Sequence, residues 1–383
     1  MIPIASLFLT AVTVATMAGA QEGEPVRIEV RLEYDATLFQ QARGLYPKRL
    51  EALFACEPQA SARTEYADRE VRRGVLRFGN QSVPCAWDEE ARVLYFDRDR
   101  DGNPSNDPPI SAAPAHVRSR AQHYSGVEMM AAAGEGEGLW VLEIEIEERE
   151  QAAVRVVSGW GGEVEVDGEH YSIAVGDDGD GMFDDSGDRL ALWQGAPDLL
   201  RAGLTDVPRR VVLGEHLYDL ALRLEPSGQG GTVIATFSEE QAPTGSLEVT
   251  GQHITRLTLE QRAGHASSPT LDTYVALFPP ADQCRLPAGT YRWRLELAQV
   301  PKLGQLVNEG FIEITAGECS VLAAGAPLHN SLEARRRGSS VLELEYHLRG
   351  SAGEEYELPR TIEPALVVSR NGRVVHEGQF RYG

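Results

Sequence analysis

The stretch VLYFDRDRDGNPSNDPP, residues 93–109, carries acidic side chains at alternate positions and a glycine directly after them. Alternate side chains of a tight turn point to the same side, so Asp97, Asp99 and Asp101 are placed to share one cation. Gly102 permits the sharp bend, and the residue after it supplies a backbone carbonyl. The pattern predicts a calcium loop with the ligands Asp97, Asp99, Asp101, Asn103, Ser105 and Asp107.

Two features of this loop weaken the calcium interpretation. The twelfth position, where a bidentate glutamate is usual, is Pro108, and Asp107 stands one residue early as its substitute. Arg98 and Arg100 occupy the outward positions, and their positive charge lowers cation affinity. The alternative is a solvated turn whose Asp and Arg side chains pair with each other. If calcium binds, its expected dissociation constant is on the order of 10⁻⁴ to 10⁻³ M.

A second acidic stretch, AVGDDGDGMFDDSGDRL at residues 174–190, repeats the pattern less completely. With Gly181 at the bend, the first ligand position falls on Gly176, so the neighbouring Asp177 must supply that ligand. Aspartates crowded into so short a segment repel one another unless a cation lies among them. The predicted ligands are Asp177, Asp178, Asp180, Met182 through its carbonyl, Asp184 and Asp188, which lies one residue late.

The sequence contains none of the common catalytic motifs that we sought. No Gly-x-Ser-x-Gly elbow, His-Glu-x-x-His pair or phosphate-binding glycine loop occurs, and the nine histidines are dispersed. We therefore predict no catalytic residue. A glycosidase needs only two suitably spaced carboxylates, and the 58 acidic residues leave that alternative open. Trp160 lies among glycines, where it could stack on a sugar, but a core tryptophan is the favoured interpretation.

The first twenty residues, MIPIASLFLTAVTVATMAGA, are uncharged and apolar and end in Ala-Gly-Ala. They predict a secretory signal peptide over residues 1–20, with an uncleaved membrane anchor as the alternative. The net charge of −22 repels nucleic-acid phosphates and attracts cations. We therefore expect a secreted or periplasmic protein that binds no nucleic acid and has no membrane span in its mature part.

The four cysteines, an even number in a secreted chain, favour disulfides over metal thiolates. Pairing within local regions predicts Cys56–Cys85 and Cys284–Cys319. Each bond would contribute about 3 to 4 kcal/mol to stability in the chain-entropy model. The alternative is four free, buried thiols.

Alternating apolar and polar residues, typical of half-buried antiparallel strands, dominate the remainder of the chain. The alternation is clearest at residues 26–34, 139–148, 290–297 and 342–348. Asp167-Gly168 and Asn371-Gly372 are typical of two-residue hairpin turns. Helix is predicted to be scarce: residues 35–58 are the best candidate, and 113–124 and 195–204 are each long enough for one or two turns.

These patterns predict a mainly β protein with two to three antiparallel β-sandwich, immunoglobulin-like domains and little helix. After the signal peptide, an N-terminal β domain at 21–130 contains the first acidic loop. A second β domain at 131–243 contains the second loop. A C-terminal β-sandwich region occupies 244–383, with a further boundary near residue 325.

Both acidic stretches, VLYFDRDRDGNPSND and YSIAVGDDGDGMFDDSGD, resemble the Asp-x-Asp-x-Asp-Gly loops of EF-hand calcium sites. They are most similar to the strand-flanked loops of uncharacterised secreted bacterial β-proteins. The C-terminal segment, from LEYHLRGSAGEEYELPR to VVHEGQFRYG, resembles an immunoglobulin-like terminal module of that group. The resemblance implies calcium and an extracytoplasmic setting, and it implies no known reaction.

Together these observations favour a secreted, non-catalytic structural, adhesive or binding protein with structural calcium. An extracellular polysaccharide or protein is the expected class of partner. The alternative is a carbohydrate-active or other extracellular hydrolase on a β-sandwich scaffold.

Overall fold

The computed structural model describes residues 26–40, 50–53, 71–78, 81–114, 121–130, 139–146, 151–178, 182–183, 187–195, 199–225, 230–263, 271–278, 280, 283–297, 307–337, 341–356 and 364–380. This part of the chain is mainly β, in several sheets with mostly antiparallel neighbours, as the sequence predicts. The chain divides into two compact units. Unit 1 comprises Met1–Arg209 and Tyr218–Glu239, and unit 2 comprises Arg210–Leu217 and Glu240–Gly383.

Unit 1 contains the strands on both sides of the two acidic loops. Its elements are β1 Arg27–Asp35, β2 Leu50–Leu53, β3 Arg72–Phe78, β4 Gln81–Asp88, β5 Val93–Phe96, β6 Ile110–Ser111, β7 Gln122–Met130, β8 Leu139–Ile146, β9 Gln151–Val156, β10 Gly159–Val166, β11 Glu169–Gly176, β12 Arg189–Gln194, α1 Leu199–Ala202, β13 Thr205–Asp206, most of β15 (His216–Glu225) and β16 Thr232–Glu239. They form sheets in the orders β3-β4-β5-β6, β2-β9-β8-β7 and β13-β12-β11-β10-β1-β16-β15.

The alternation that predicts β1 is visible in its burial. Ile28, Val30 and Leu32 are buried, whereas the residues between them are exposed. The turn between β10 and β11 has positive φ angles at both Asp167 and Gly168, which is the conformation that a two-residue hairpin requires. Local sequence therefore determines both the strands and the turn that joins them.

The described residues of unit 2 contribute strands to four sheets. Its strands are β14 Arg210–Leu213, β17 Thr244–Thr250, β18 Ile254–Arg262, β19 Leu271–Leu277, β20 Gln283–Pro287, β21 Gly289–Leu297, β22 Val307–Ile314, β23 Cys319–Ala323, β24 His329–Arg337, β25 Val341–Arg349, β26 Glu355–Tyr356, β27 Ala365–Arg370 and β28 Arg373–Gln379. The sheet orders are β14-β19-β18-β21-β22, β20-β17-β23, β24-β25-β26 and β27-β28. One apolar cluster joins Trp293 and Leu295 of the first of these sheets to Leu247 and Leu286 of the second.

The structure confirms that helix is scarce and corrects two of the three helix candidates. Residues 50–53, inside the predicted helix at 35–58, form β2, and residues 122–124 of the segment 113–124 belong to β7. The segment 195–204 contains the single-turn helix α1. The strand pairing explains β2: Leu50 to Leu53 align antiparallel with β9, which satisfies their backbone groups from outside the segment.

Two further features differ from the predicted antiparallel, half-buried pattern. β14 pairs with β19, and β17 with β23, in parallel orientation. In β25 the expected alternation of burial fails, since Leu342 is 61% exposed whereas Leu348 is buried. Burial depends on the layer that covers a strand, and the strand's own sequence does not specify that layer.

The predicted Cys284–Cys319 disulfide is absent, because a strand separates the two thiols. Cys284 of β20 aligns with Leu247, and Cys319 of β23 aligns with Ser246, on opposite sides of β17. Two strand spacings amount to about 9 to 10 Å, beyond the reach of a disulfide. Cys85, Cys284 and Cys319 are all free thiols. The Cys56–Cys85 pair is not formed at Cys85, and Cys56 itself lies outside the described residues.

The prediction of two to three domains, like that of immunoglobulin-like sandwiches, stays a prediction. The predicted signal peptide at residues 1–20 lies outside the described residues. Every helix in the part of the chain that the structure describes is too short or too polar to span a bilayer.

Candidate metal centre

The first aspartate cluster begins where β5 ends. Phe96 is fully buried, and the next residue, Asp97, retains that burial with only 1% of its surface exposed. Gly102 has a φ of 89°, a backbone conformation that suits glycine, and it turns the chain back. Carboxylate oxygens of Asp97, Asp99 and Asp101 consequently lie within 4.8 Å of one another.

Backbone hydrogen bonds hold this loop in shape. The Gly102 N–H donates to Asp97 Oδ2 at 3.0 Å, and the Asp101 N–H donates to Asp99 Oδ1 at 3.1 Å. The Asn103 N–H donates to Asp101 Oδ1 at 2.8 Å. Each aspartate thus accepts a backbone N–H within the loop, as expected of a tight turn rich in Asp and Asn. Asp101 also accepts a second hydrogen bond, from Asn106 Nδ2 to its Oδ2 at 2.6 Å.

The other oxygen of Asp97 has no such role. Asp97 Oδ1 is buried and has no hydrogen-bond partner. Burial raises the pKa of the Asp97 carboxyl, the Gly102 N–H opposes that change, and repulsion from Asp101 and Asp99 adds to it. A buried carboxylate with an unsatisfied oxygen is costly unless a cation approaches it.

The remaining predicted ligands of the first loop have different hydrogen-bond partners. Asp107 faces it: its Oδ2 accepts a hydrogen bond from the Arg98 N–H at 3.1 Å. Burial raises the pKa of Asp107, and Asp99 and Asp97 repel its charge. By contrast, Asn103 Oδ1 accepts hydrogen bonds from the N–H and hydroxyl of Ser105. The Asn103 carbonyl, which is the predicted ligand atom, accepts the Asn106 N–H at 3.4 Å.

The second cluster lies between β11 and β12. Asp177, Asp178 and Asp188 are 1%, 7% and 1% exposed, and one oxygen from each lies within 4.8 Å of the others. The Asp178 N–H donates to Asp188 Oδ1 at 3.3 Å. A Cβ atom at Gly187 would lie 2.3 Å from Asp178 Oδ2, so glycine at this position makes room for that carboxylate.

The other predicted ligands of the second loop are not in this group. Asp180 and Asp184 lie outside the described residues, and Met182 is described as an exposed residue. The buried Arg189 follows Asp188 and forms an ion pair with Asp206 at 2.5 Å, while it also donates to the Asp188 carbonyl. The Arg189 guanidinium therefore also balances the charge of Asp206, which lies outside the cluster.

Both clusters offer oxygen ligands only, which favours hard cations such as calcium over zinc or copper. In the second cluster, three buried carboxylates within such a distance repel one another strongly in a medium of low polarity, whereas in the first cluster only Asp97 is buried. A divalent ion would reverse that repulsion. The arrangement can thus hold a cation.

A third group, which sequence reasoning missed, consists of Glu333, Glu345 and His347 on β24 and β25. Glu333 lies directly opposite Glu345 in the register of these strands. Sequence reasoning missed the group because the strand register that brings these residues together cannot be read from the sequence. Arg335 contacts Glu333 at 3.2 Å, and Arg349 contacts it at 3.6 Å. These arginines already balance the glutamates, so the group is an ion-pair network on an exposed sheet.

A groove of about 570 Å³ lies on the polar face of β7, β8 and β9. His123, Glu143, Glu145 and Arg155 line it. His123 Nε2 is 3.9 Å from Glu145 Oε1, and Glu143 lies opposite Arg155 in the strand register. Two carboxylates and an imidazole thus share one surface in this groove.

Trp160 is a core residue and not a sugar platform. It is fully buried, and its indole N–H donates to the Gly230 carbonyl at 3.0 Å. Its ring contacts Tyr34, Trp140 and Phe183 edge to face. The favoured interpretation of Trp160 from the sequence is therefore confirmed.

Comparison with protein-family models, with curated proteins and with solved structures finds no match to this chain. Any functional conclusion therefore depends on the geometry of the chain's own residues.

Proposed function

We propose that this protein is a secreted or periplasmic, non-catalytic structural or binding protein whose aspartate loops hold structural calcium. The observation that carries the proposal is Asp97: a buried carboxylate, next to two others, with one oxygen that no protein group satisfies. Calcium takes six to eight oxygen ligands and accepts irregular geometry, which suits such a loop. The uncharged apolar start of the sequence supports the extracytoplasmic setting.

The role of the ion follows from its position. The first cluster follows β5, and the second connects β11 to β12. A cation there neutralises the carboxylates and fixes the strand ends, so its contribution is to folding stability. An extracellular polysaccharide or protein remains the proposed class of partner.

Calorimetric titration of the purified protein with calcium tests the proposal. Saturable heat with a dissociation constant on the order of 10⁻⁴ to 10⁻³ M is expected. Magnesium should compete poorly, because it requires near-ideal octahedral geometry. No saturable heat at millimolar calcium would remove the basis of the proposal.

The immunoglobulin-like arrangement is also part of the proposal, for unit 2. Two of its sheets share one apolar cluster, as in a sandwich. In addition, the Tyr291 hydroxyl donates to the Pro287 carbonyl at 3.0 Å, four residues upstream. Such a tyrosine corner is a recurrent feature of immunoglobulin-like sandwiches. An experimental structure of unit 2 in which the strands of these two sheets have a different order would contradict the immunoglobulin-like arrangement.

One observation favours a second candidate, an extracellular glycoside hydrolase. Glu143 and Glu145 alternate along β8, so both side chains point into the groove described above, beside His123. Two carboxylates on one face are the minimum for glycoside hydrolysis. Release of reducing sugar from a panel of polysaccharides, abolished by Glu143→Gln or Glu145→Gln, would support this candidate. Equal turnover by both variants and the wild type would exclude these residues from catalysis.

A further inference from the structure

Arg98 and Arg100 occupy equivalent alternate positions in the first loop, but their side chains have different surroundings. Arg98 forms an ion pair with Glu128 at the surface. Arg100 is half-buried, has a φ of 60°, and donates from Nη2 to Met129 Sδ at 3.3 Å. The Arg100 guanidinium thus contacts the buried Met129 of unit 1, whereas that of Arg98 pairs with the exposed Glu128.

The surroundings of Arg100 include a carboxylate from each loop. Asp97 and Asp177 both interact electrostatically with its guanidinium. Asp97 belongs to the first cluster, and Asp177 belongs to the second. Two loops that are some 80 residues apart in the sequence therefore interact with the same guanidinium, that of Arg100.

A continuous set of packed side chains accounts for this meeting. Met129, which Arg100 contacts, aligns with Trp140 across β7 and β8. The Trp140 ring lies 6.4 Å from the Trp160 ring, centroid to centroid. Trp160 aligns with Val175, two residues before Asp177. These buried aromatic residues fix the ends of β5 and β11 relative to each other within unit 1.

We infer that Arg100 is a counter-cation shared by the two aspartate clusters, so that cation affinity at the first loop depends on Asp177 of the second. The inference rests on the proposed function, since it concerns the regulation of the same site. A divalent ion among Asp97, Asp99 and Asp101 repels Arg100. The guanidinium then interacts more strongly with Asp177. In the absence of the ion, Arg100 partly neutralises Asp97.

Substitution of Arg100 tests the first half of the inference. Arg100→Gln should raise the calcium affinity of the first loop by about three- to tenfold, because it removes a positive charge beside the ion. Arg100→Lys keeps the charge and should stay within about twofold of the wild type. Arg98→Gln is the matched control, and it should also change the affinity by less than about twofold, since that charge is partly exposed and already paired with Glu128.

Asp177→Asn, alone and combined with Arg100→Gln, tests the second half. Alone, it should lower the calcium affinity of the first loop, because Arg100 loses its other carboxylate. In the Arg100→Gln background the effect should shrink markedly, giving a non-additive double-mutant cycle. Affinity is read from the calorimetric component that Asp97→Asn abolishes, and the coupling should weaken at high salt.

The outcomes separate the two claims. Additive effects of the two substitutions, or an Arg100→Gln affinity equal to that of Arg98→Gln, would overturn the shared counter-cation and leave calcium binding intact. A wild-type protein without calorimetric binding would instead overturn the proposed function itself.

Discussion

The two oxygens of Asp97 have different environments, and that difference defines its role. Oδ2 accepts the Gly102 N–H, whereas Oδ1 is buried without a partner. The sequence could predict Asp97 as a ligand, because the ligands of one loop lie in a single short segment and their spacing shows the pattern. It could not predict the shared contact of Arg100 with Asp97 and Asp177, since that contact depends on how distant strands pack.

Asp97→Asn should remove calcium binding at the first loop, with at least about a tenfold loss of affinity, because the buried anionic ligand is lost. In chelator the same variant should unfold at the wild-type temperature or above it, since it removes a buried charge that its neighbours repel. Calorimetric titration and thermal unfolding measure the two effects. Asp219→Asn, at an exposed position of β15, is the control and should change neither; loss of stability in chelator would contradict this account of Asp97.

Gly187→Ala should disrupt the second cluster, because the added Cβ atom would meet Asp178 Oδ2 at 2.3 Å. We expect a loss of about 1 to 3 kcal/mol in the free energy of unfolding, as for other overpacked sites. Gly161→Ala in β10 is a matched control, since its nearest contact would be 3.6 Å away, and it should cost about 0.5 kcal/mol or less. Equal costs in urea denaturation would mean that Asp178 is not confined there.

Local sequence predicts the strands and tight turns, but it does not predict which strands pair with each other. Asn371 and Gly372 have the positive φ angles that their dipeptide predicts. The parallel pairing of β17 with β23, which places a strand between Cys284 and Cys319, depends on residues far apart in the chain. For the same reason, proximity in sequence was a poor guide to disulfide pairing.

The thiols should react with a chromogenic thiol reagent in an order set by their positions. Cys319 is exposed and should react first, and the half-buried Cys284 should follow. Burial raises the pKa of the Cys284 thiol to about 11, which slows its reaction further. Cys85 is buried, its pKa is raised by that burial, and it should react only after unfolding. Non-reducing peptide mapping that recovers a Cys284–Cys319 bond would contradict the strand order.

The two compact units are each assembled from separate segments of the chain, since residues 210–217 belong to unit 2 and 218–239 to unit 1. Sequence composition suggests boundaries between contiguous segments, so it cannot show that one unit is built from two separate segments of the chain. Both aspartate clusters lie in unit 1, whereas the Glu333–Glu345–His347 network lies in unit 2. Stabilisation by calcium should therefore be confined to one of the two units.

Scanning calorimetry of the wild type and Asp97→Asn in calcium, in magnesium and in chelator tests the calcium assignment most directly. At calcium about 100-fold above the dissociation constant, one site adds ~2.7 kcal/mol to folding stability. The account predicts that calcium raises the unfolding temperature of unit 1 by several degrees, that magnesium does so far less, and that Asp97→Asn reduces the shift. Superimposable curves in all three solutions would mean that the first loop is a solvated acidic turn and that this protein does not use calcium.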